Sequence, residues 1–403
     1  MKIAVFHNLP SGGAKRALYG FVKYLTKSGH LVDVFVPSTA DETFLPLKDV
    51  ANNVNSFPVR KTITGLIYST FYYISPINMK IFLRDLERTE KKIADVINKK
   101  DYDVVLSEQD QYTMSPFFLK FIKKPTVYCC QQPSRVQEAI LQKVSQKSED
   151  KDRIGLVRRI WRKYVVSRMP KIDKQNASFA RYILANSYFS RESILRSYGL
   201  NSFVCYLGVD TDIFKPLEIP KENFVLSVGS CGPSKGFDFI IRSLARIDSK
   251  IRPGFIIASN SVAVGWENYL EQLAIKVGVD LEIKHLVLNN ELLQLYNEAK
   301  LVVYAPYLEP FGLVPLEAMA CRTPVVAVKE GGVRESIIHN ETGILTERDE
   351  NMFARAVNEL LLNNKKREKM AQRGIEVIHS YWTLEYAGER LLNHLNRAIE
   401  VLK

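Results

Sequence analysis

The chain has 403 residues, 46% hydrophobic and 25% charged, a composition that excludes a disordered or low-complexity polymer. Its length suits two domains of roughly 200 residues each. The formal charge of +12 is uneven: residues 1–200 hold 33 Lys and Arg against 18 Asp and Glu, and residues 201–403 hold 23 against 26. The first half is therefore expected to meet something anionic. Five cysteines, odd in number and without repeating spacing, argue for reduced thiols rather than a disulfide framework.

Residues 2–6 read as a buried strand at the very start, so no signal peptide is expected. His7-Asn-Leu-Pro-Ser-Gly-Gly13 turns into a helix with Ala17, Leu18, Phe21, Val22 and Leu25 on one face. Gly29 ends it, and 31–36 is the next strand. Gly12 and Gly13 thus occupy a βα turn where backbone can approach a phosphate. The G-x-G-x-x-G spacing of dinucleotide binders is absent. The uncharged run 62–79 has the length of a bilayer span, but Gly65, Pro76 and Asn78 favour a buried or interfacial segment. Asp101-Tyr-Asp103 precedes a strand at 104–106 and reads as a polar loop at the end away from ligands.

A strand at 126–130 leads into Gln131-Gln-Pro-Ser-Arg135. Within 151–174, Ile154, Val157, Ile160, Trp161, Tyr164 and Val165 recur at helical steps among Arg153, Arg158, Arg159, Arg162, Lys163 and Arg168. This is either a surface helix packed on its own domain or a helix that reads anionic lipid headgroups. Nucleic acid fits less well, because no recognised nucleic-acid module accompanies the charge. Residues 182–187 form a strand running into a helix cap.

Gly208-Val-Asp210, Phe214 and Pro216 make the loop joining the halves. A strand at 224–228 and the loop Gly229-Ser-Cys-Gly-Pro-Ser-Lys-Gly236 precede a helix with Phe237, Ile240, Ile241 and Leu244 on one face. Lys235 therefore stands at a helix start, placed to pair with a diphosphate. Residues 286–288 read as a strand, with Asn289 capping a helix through Leu292, Leu293 and Tyr296. A strand at 301–304 enters the loop Glu309-Pro-Phe-Gly-Leu-Val-Pro-Leu-Glu317, and a helix begins near Val314. Residues 325–328 are the next strand, followed by Gly331-Gly-Val-Arg-Glu335 and a helix at 351–362. Tyr381-Trp382 is expected to open the last helix, with Leu391, Leu392, Leu395 and Ile399 inward. Two carboxylates flanking the backbone N–H groups of 311–314 suit a ligand with sugar hydroxyls, a phosphate bridge and ribose hydroxyls.

This E-x7-E pattern with Phe-Gly inside resembles the donor site of the family 4 retaining glycosyltransferases of the GT-B fold, the glycosyl transferases group 1. The resemblance implies an α/β protein with two Rossmann-like domains facing across a cleft. Residues 1–208 would be the acceptor-side domain, 209–380 the nucleotide-sugar donor domain, and 381–403 a C-terminal helix crossing back to the first domain. It implies that Glu309 contacts the transferred sugar, that Glu317 holds the nucleotide ribose, and that Phe311, Gly312 and Leu313 reach the sugar and diphosphate through their amides. Lys235 would pair with the diphosphate, Gly12 and Gly13 would face the donor phosphates, and Leu288 would border the base. Gln131 stands where the family commonly has a histidine near the reacting sugar, and Arg135 matches the arginine often found after it. Glutamine bonds a sugar hydroxyl but cannot take a proton. Ser230 replaces an arginine usual after Gly229, so one cationic diphosphate contact is missing or comes from elsewhere.

The expected activity is retaining transfer of a hexose from a nucleotide diphosphate sugar to a lipid-linked or polysaccharide acceptor. The donor is GDP-mannose or a UDP-sugar, mannose being favoured because Gln-Gln-Pro-Ser-Arg resembles loops of some mannosyltransferases. No metal cofactor and no nucleic-acid partner are expected, and the expected location is cytoplasmic, with peripheral placement on the inner membrane face, against an anionic membrane surface, left open as an option. A degenerate sugar-nucleotide-binding protein without transferase activity is the alternative, and a sugar-nucleotide epimerase is a third.

Overall fold

The computed structural model describes residues 1–60, 76–133 and 168–402. Residues 61–75, Arg135 and the basic stretch from 151 to 167 lie outside the described residues, so those expectations are not addressed by the structure. The chain divides into two compact units, Met1–Tyr206 with Ala387–Lys403, and Leu207–Tyr386. Each is α/β with one parallel, Rossmann-like sheet.

The first sheet contains β1 (Lys2–Asn8), β2 (Leu31–Pro37), β3 (Asn53–Phe57), β4 (Val104–Asp110), β5 (Thr126–Cys129), β6 (Tyr182–Ala185) and β7 (Phe203–Val204). Their order is β3-β2-β1-β4-β5-β6-β7. β4, β5 and β6 are buried at every position, as a parallel sheet covered on both faces requires. The helix Gly13–Lys27 buries Ala17, Leu18, Phe21, Val22 and Leu25, the face read from the sequence. The second sheet contains β8 (Glu222–Val228), β9 (Gly254–Ser259), β10 (Leu281–His285), β11 (Ala299–Tyr304), β12 (Val325–Val328) and β13 (Gly343–Thr346). Its order is β10-β9-β8-β11-β12-β13. Both sheets therefore reverse direction of winding at their centre, between β1 and β4 and between β8 and β11. In open α/β sheets the loops leaving the carboxyl ends of strands at such a reversal are where ligands gather.

Three local expectations are corrected. The strand before the helix Asn289–Glu298 is Leu281–His285, not 286–288. Leu286 has φ 53° and takes the chain out of the sheet, and Leu288, not Asn289, occupies the cap position without a side-chain cap bond. Tyr381 and Trp382 do not open the last helix. They belong to a π-turn, Ile378–Trp382, that closes the helix Asn364–Val377, and the last helix is Leu384–Leu402. The helix Asn364–Val377 lacks a strong sequence signal because it buries only Met370, Ala371, Gly374 and Val377.

From Ala387 onward the last helix belongs to the first unit. His394 Nδ1 lies 2.9 Å from the Tyr182 hydroxyl, and the Arg397 guanidinium sits 5.0 Å over the Phe203 ring. Gly388 packs tightly on the first helix: a Cβ there would lie 2.2 Å from the Tyr24 ring. Gly388→Val is expected to destabilise the protein by about 2–3 kcal/mol through overpacking. Thermal unfolding checks this, and an unchanged midpoint would show that the helix does not depend on that contact.

Candidate functional site

The crevice of the second sheet is built by two loops, 229–236 after β8 and 305–312 after β11. The loops are tied together by backbone. The Tyr307 N–H donates to the Ser234 carbonyl at 2.8 Å, and Gly236, at φ 67°, faces the Ala305 carbonyl so closely that a Cβ would stand 2.1 Å from its oxygen. Only glycine fits there, so Lys235 is delivered to a fixed place beside the second loop. Its Nζ donates to Glu309 Oε2 at 2.7 Å, with the side chains 23% and 19% exposed. An ion pair so partly open can share its ammonium with an arriving anion, because lysine has three donors.

Glu309 is held from its other side. The Gly332 N–H donates to the Glu309 carbonyl at 2.8 Å, and Leu308 before it adopts φ 48°. Such a left-handed leucine is strained by about 1–2 kcal/mol, a cost carried by the surrounding contacts. Arg348, which no sequence motif marks, braces the loop from below. Its guanidinium donates to the Ala305 and Pro306 carbonyls and, as a fork, to both oxygens of Glu330 at 2.8 and 2.9 Å. The ring of Tyr307 packs on it at 3.8 Å.

Beyond Glu309 the chain enters the helix Leu313–Ala320 through Gly312, and no side chain caps it. Pro315 has no N–H, so Leu313 and Val314 present the helix's first amides, and the macrodipole favours an anion there. Phe311 is buried with its ring 5.8 Å from that of Trp382, so only its backbone can meet a ligand. Glu317 is 4% exposed, and its Oε2 accepts from the Tyr296 hydroxyl at 2.6 Å. Leu286 and Leu288, each 75% exposed, stand on the loop after β10. The loops after β8 and β9 are joined by hydrogen bonds of Cys231 to the Ser261 carbonyl and of Ala263 to the Cys231 carbonyl. Lys235, Glu309, Phe311, Gly312, Leu313 and Glu317 thus come together, and Leu288 stands further along the same carboxyl edge. Ser230 is exposed. Arg242 is engaged with Asp238 and Glu350, whereas exposed Arg334 lies two residues beyond the Gly331-Gly332 turn, whose Gly332 N–H bonds the Glu309 carbonyl.

The first unit has a different carboxyl edge. Gly12 caps the helix Gly13–Lys27 at φ 139°. Beneath it the sequence hides a cluster: Lys15, wholly buried, is ion-paired with Glu42, and His7 Nε2 lies 2.9 Å from the same carboxylate. Burial lowers His7 to about 4, against its hydrogen bond to Glu42. Glu42 sits at about 2: burial would raise it, but the hydrogen bonds to His7 and Lys15 prevail. Across the switch point, Gln131 is 9% exposed and fully engaged. Its Nε2 donates to both oxygens of Glu108 at 3.3 Å, and its Oε1 accepts from Asn186 at 2.7 Å. Gln131 is thus part of a buried polar network rather than a side chain standing in the open.

Residues 11–213 match the family described as Glycosyltransferase Family 4, and residues 209–377 match Glycosyl transferases group 1. An uncharacterized glycosyltransferase of Methanocaldococcus jannaschii is 29% identical over 45% of this chain and 46% of its own length. The D-inositol 3-phosphate glycosyltransferase of Stackebrandtia nassauensis is 28% identical over 48% of each. An alpha-1,3/1,6-mannosyltransferase of Rhizomucor pusillus is 33% identical over 24% of this chain and 21% of its own. The chain spans about half the length of the first two of these relatives. Among solved structures, the sucrose-phosphate synthase of Thermosynechococcus elongatus superposes with TM-score 0.75 at 19% identity over the whole of both chains. HepE of Anabaena, in complex with UDP and glucose, superposes with TM-score 0.73 at 18% identity over 98% of this chain and all of its own. At such identities the likeness concerns the fold.

The buried network of the first unit carries its own pH signature. Burial pushes the Glu108 carboxyl from 4.5 up to about 8, against hydrogen bonds from Gln131, the Gln109 backbone and Cys129. The folded protein therefore keeps a proton that the unfolded chain releases above pH 4.5. The contribution of Glu108 to stability is full below that pH and is lost as pH rises toward 8. Glu108→Gln is expected to shrink the loss of unfolding free energy between pH 5.5 and 8.5 by about 2–3 kcal/mol. Urea unfolding at the two pH values measures it, and an unchanged difference would contradict the protonated carboxyl.

Proposed function

The chain belongs to glycosyltransferase family 4, and from that premise we propose that it transfers a hexose from a nucleotide diphosphate sugar with retention of configuration. The observation that carries the reading is the Lys235–Glu309 pair beside the open amides of the helix Leu313–Ala320, at the reversal point of the second sheet. A diphosphate at that helix start would take Lys235 as its counter-ion, and the sugar beyond it would meet Glu309. Glu317 would accept hydrogen bonds from the ribose, with the base over Leu286 and Leu288. GDP-mannose and UDP-glucose are the donor types to test first. Similarity to a mannosyltransferase supports the former, and the complexes of HepE with UDP and UDP-glucose support the latter.

In the reaction so inferred, the bond between the anomeric carbon and the diphosphate oxygen breaks as an acceptor hydroxyl attacks from the same face. The hydroxyl proton passes to the departing phosphate oxygen. Negative charge grows on that oxygen, and fixed donors aimed at growing charge are the strongest catalytic device a protein has. Lys235 and the amides of Leu313 and Val314 supply them, so the step as written needs no metal. Glu309 orients the sugar and keeps the Lys235 ammonium in place before the donor arrives.

The acceptor is inferred to be lipid-linked or a polysaccharide precursor, because the excess positive charge lies in residues 1–200. Among the described residues no helix is long and apolar enough to cross a membrane. Docking to an anionic membrane face would need no span, since each basic residue near such a surface is worth about 1 kcal/mol. Co-sedimentation with liposomes tests it: binding should require anionic lipid and fade with salt, and no binding at low salt leaves a soluble acceptor.

Product formation across a panel of nucleotide sugars is the decisive assay, since a binding protein without activity would pass a binding test alone. Lys235→Ala is expected to lower turnover by about 100-fold or more. Glu317→Ala is expected to weaken nucleotide binding about ten- to a hundredfold through one lost charged hydrogen bond. Turnover retained in Lys235→Ala would remove the leaving-group assignment. Nucleotide binding without any product would favour the binding-protein reading, which the substitution at Ser230 and the enclosed Gln131 already invite.

A further inference from the structure

Tyr296 is wholly buried, yet it carries a hydroxyl that its packing does not require. A buried tyrosine hydroxyl costs desolvation unless it finds a partner, and a phenylalanine would fill the same space without that cost. Here the partner is Glu317 Oε2, at 2.6 Å. We propose that Tyr296 is a positioning residue for the donor site, holding the Glu317 carboxylate in the orientation that receives the ribose hydroxyls. The inference rests on the reading of Glu317 as the ribose ligand.

Three sets of contacts fix Tyr296 itself. Its carbonyl accepts from the Thr323 hydroxyl at 2.6 Å, which ties the helix Asn289–Glu298 to the turn before β12. Its ring meets Phe214 edge-on at 5.7 Å. The next residue, Asn297, donates to the Lys215 carbonyl and accepts from the Leu217 N–H, at 3.0 and 2.8 Å. The hydroxyl is therefore aimed by backbone and packing rather than by solvent. Glu317 sits on a helix of only eight residues, and a glutamate has three side-chain torsions to lose when a ligand orders it. A hydrogen bond made before binding removes that loss from the binding step. Because Tyr296 has no exposed surface, it cannot act by touching the nucleotide. The bond to Glu317 is the route by which its hydroxyl would act on affinity.

The test is calorimetric binding of UDP and GDP, and of their 2′,3′-dideoxy counterparts, to the full chain. Four proteins are compared: the parent, Tyr296→Phe, Glu317→Ala and the double variant, each first shown to unfold cooperatively. Tyr296→Phe keeps the ring against Phe214. It is expected to weaken the better-bound ribonucleotide about five- to thirtyfold, the range for one buried hydrogen bond, while changing the dideoxy form less than about twofold. In the Glu317→Ala background the Phe substitution should add nothing, because the carboxylate it would position is gone. Equal weakening of ribo- and dideoxynucleotides, or additive losses in the double variant, overturns the positioning role and leaves the ribose reading intact. Unchanged ribonucleotide affinity in Glu317→Ala overturns the ribose reading and this inference with it.

Discussion

In the second sheet the loops after β8 and β11 leave neighbouring strands at the reversal of strand order, and backbone contact through glycine holds them in register. Gly236 lets the first loop lie against the Ala305 carbonyl, and in the turn after β12 Gly331 and Gly332, where a Cβ would stand 2.2 and 2.1 Å from the Glu309 and Pro310 carbonyl oxygens, let the chain close on the second loop from its other side. The Lys235–Glu309 ion pair is the consequence, not the cause, of this approach. At about a fifth exposed, it contributes little to stability by itself. Its importance lies in placing a cation and a carboxylate at one point with their geometry already fixed.

The two units share a topology and differ in what their carboxyl edges carry. In the second, the central loops bear a lysine, a glutamate and a helix start with uncapped amides, and these groups are partly open. In the first, the ends of β4 and β5 bear Glu108, Asp110 and Gln131, buried and bonded to one another or to Asn8 and Asn186. Carboxylates held in such surroundings shift toward the neutral form: burial raises both Glu108 and Asp110. The same fold thus presents a partly open ion pair and an uncapped helix start in one half and an enclosed, proton-retaining network in the other. Fold alone does not assign chemistry to either.

Much of the second unit was legible in the sequence because its signals are local. The strand at 325–328 is apolar throughout and sits between Pro324 and a glycine pair, and the structure keeps those bounds. Lys235, Glu309 and Glu317 follow from a glycine loop and a glutamate spacing, each readable within a dozen residues. What sequence could not show depends on long-range contacts. Arg348 lies more than 40 residues from the carbonyls of Ala305 and Pro306 that it braces, and no motif links them. Lys15 reads as an ordinary helix lysine until Glu42, from the loop after β2, closes over it. Leu286 misled because three apolar residues resemble a strand, whereas its left-handed backbone ends one. The enclosure of Gln131 needed β4 and the helix Tyr188–Tyr198 to be in place around it.

The central claim is that a nucleoside diphosphate binds at the carboxyl edge of the second sheet, between the loops after β8 and β11. A crystal structure of the protein with UDP or GDP addresses it directly. The account predicts the diphosphate within hydrogen-bond distance of Lys235 Nζ and of the amides of Leu313 and Val314, with the ribose hydroxyls on Glu317. A nucleotide bound elsewhere in either unit, with Lys235 still paired only to Glu309, would contradict it.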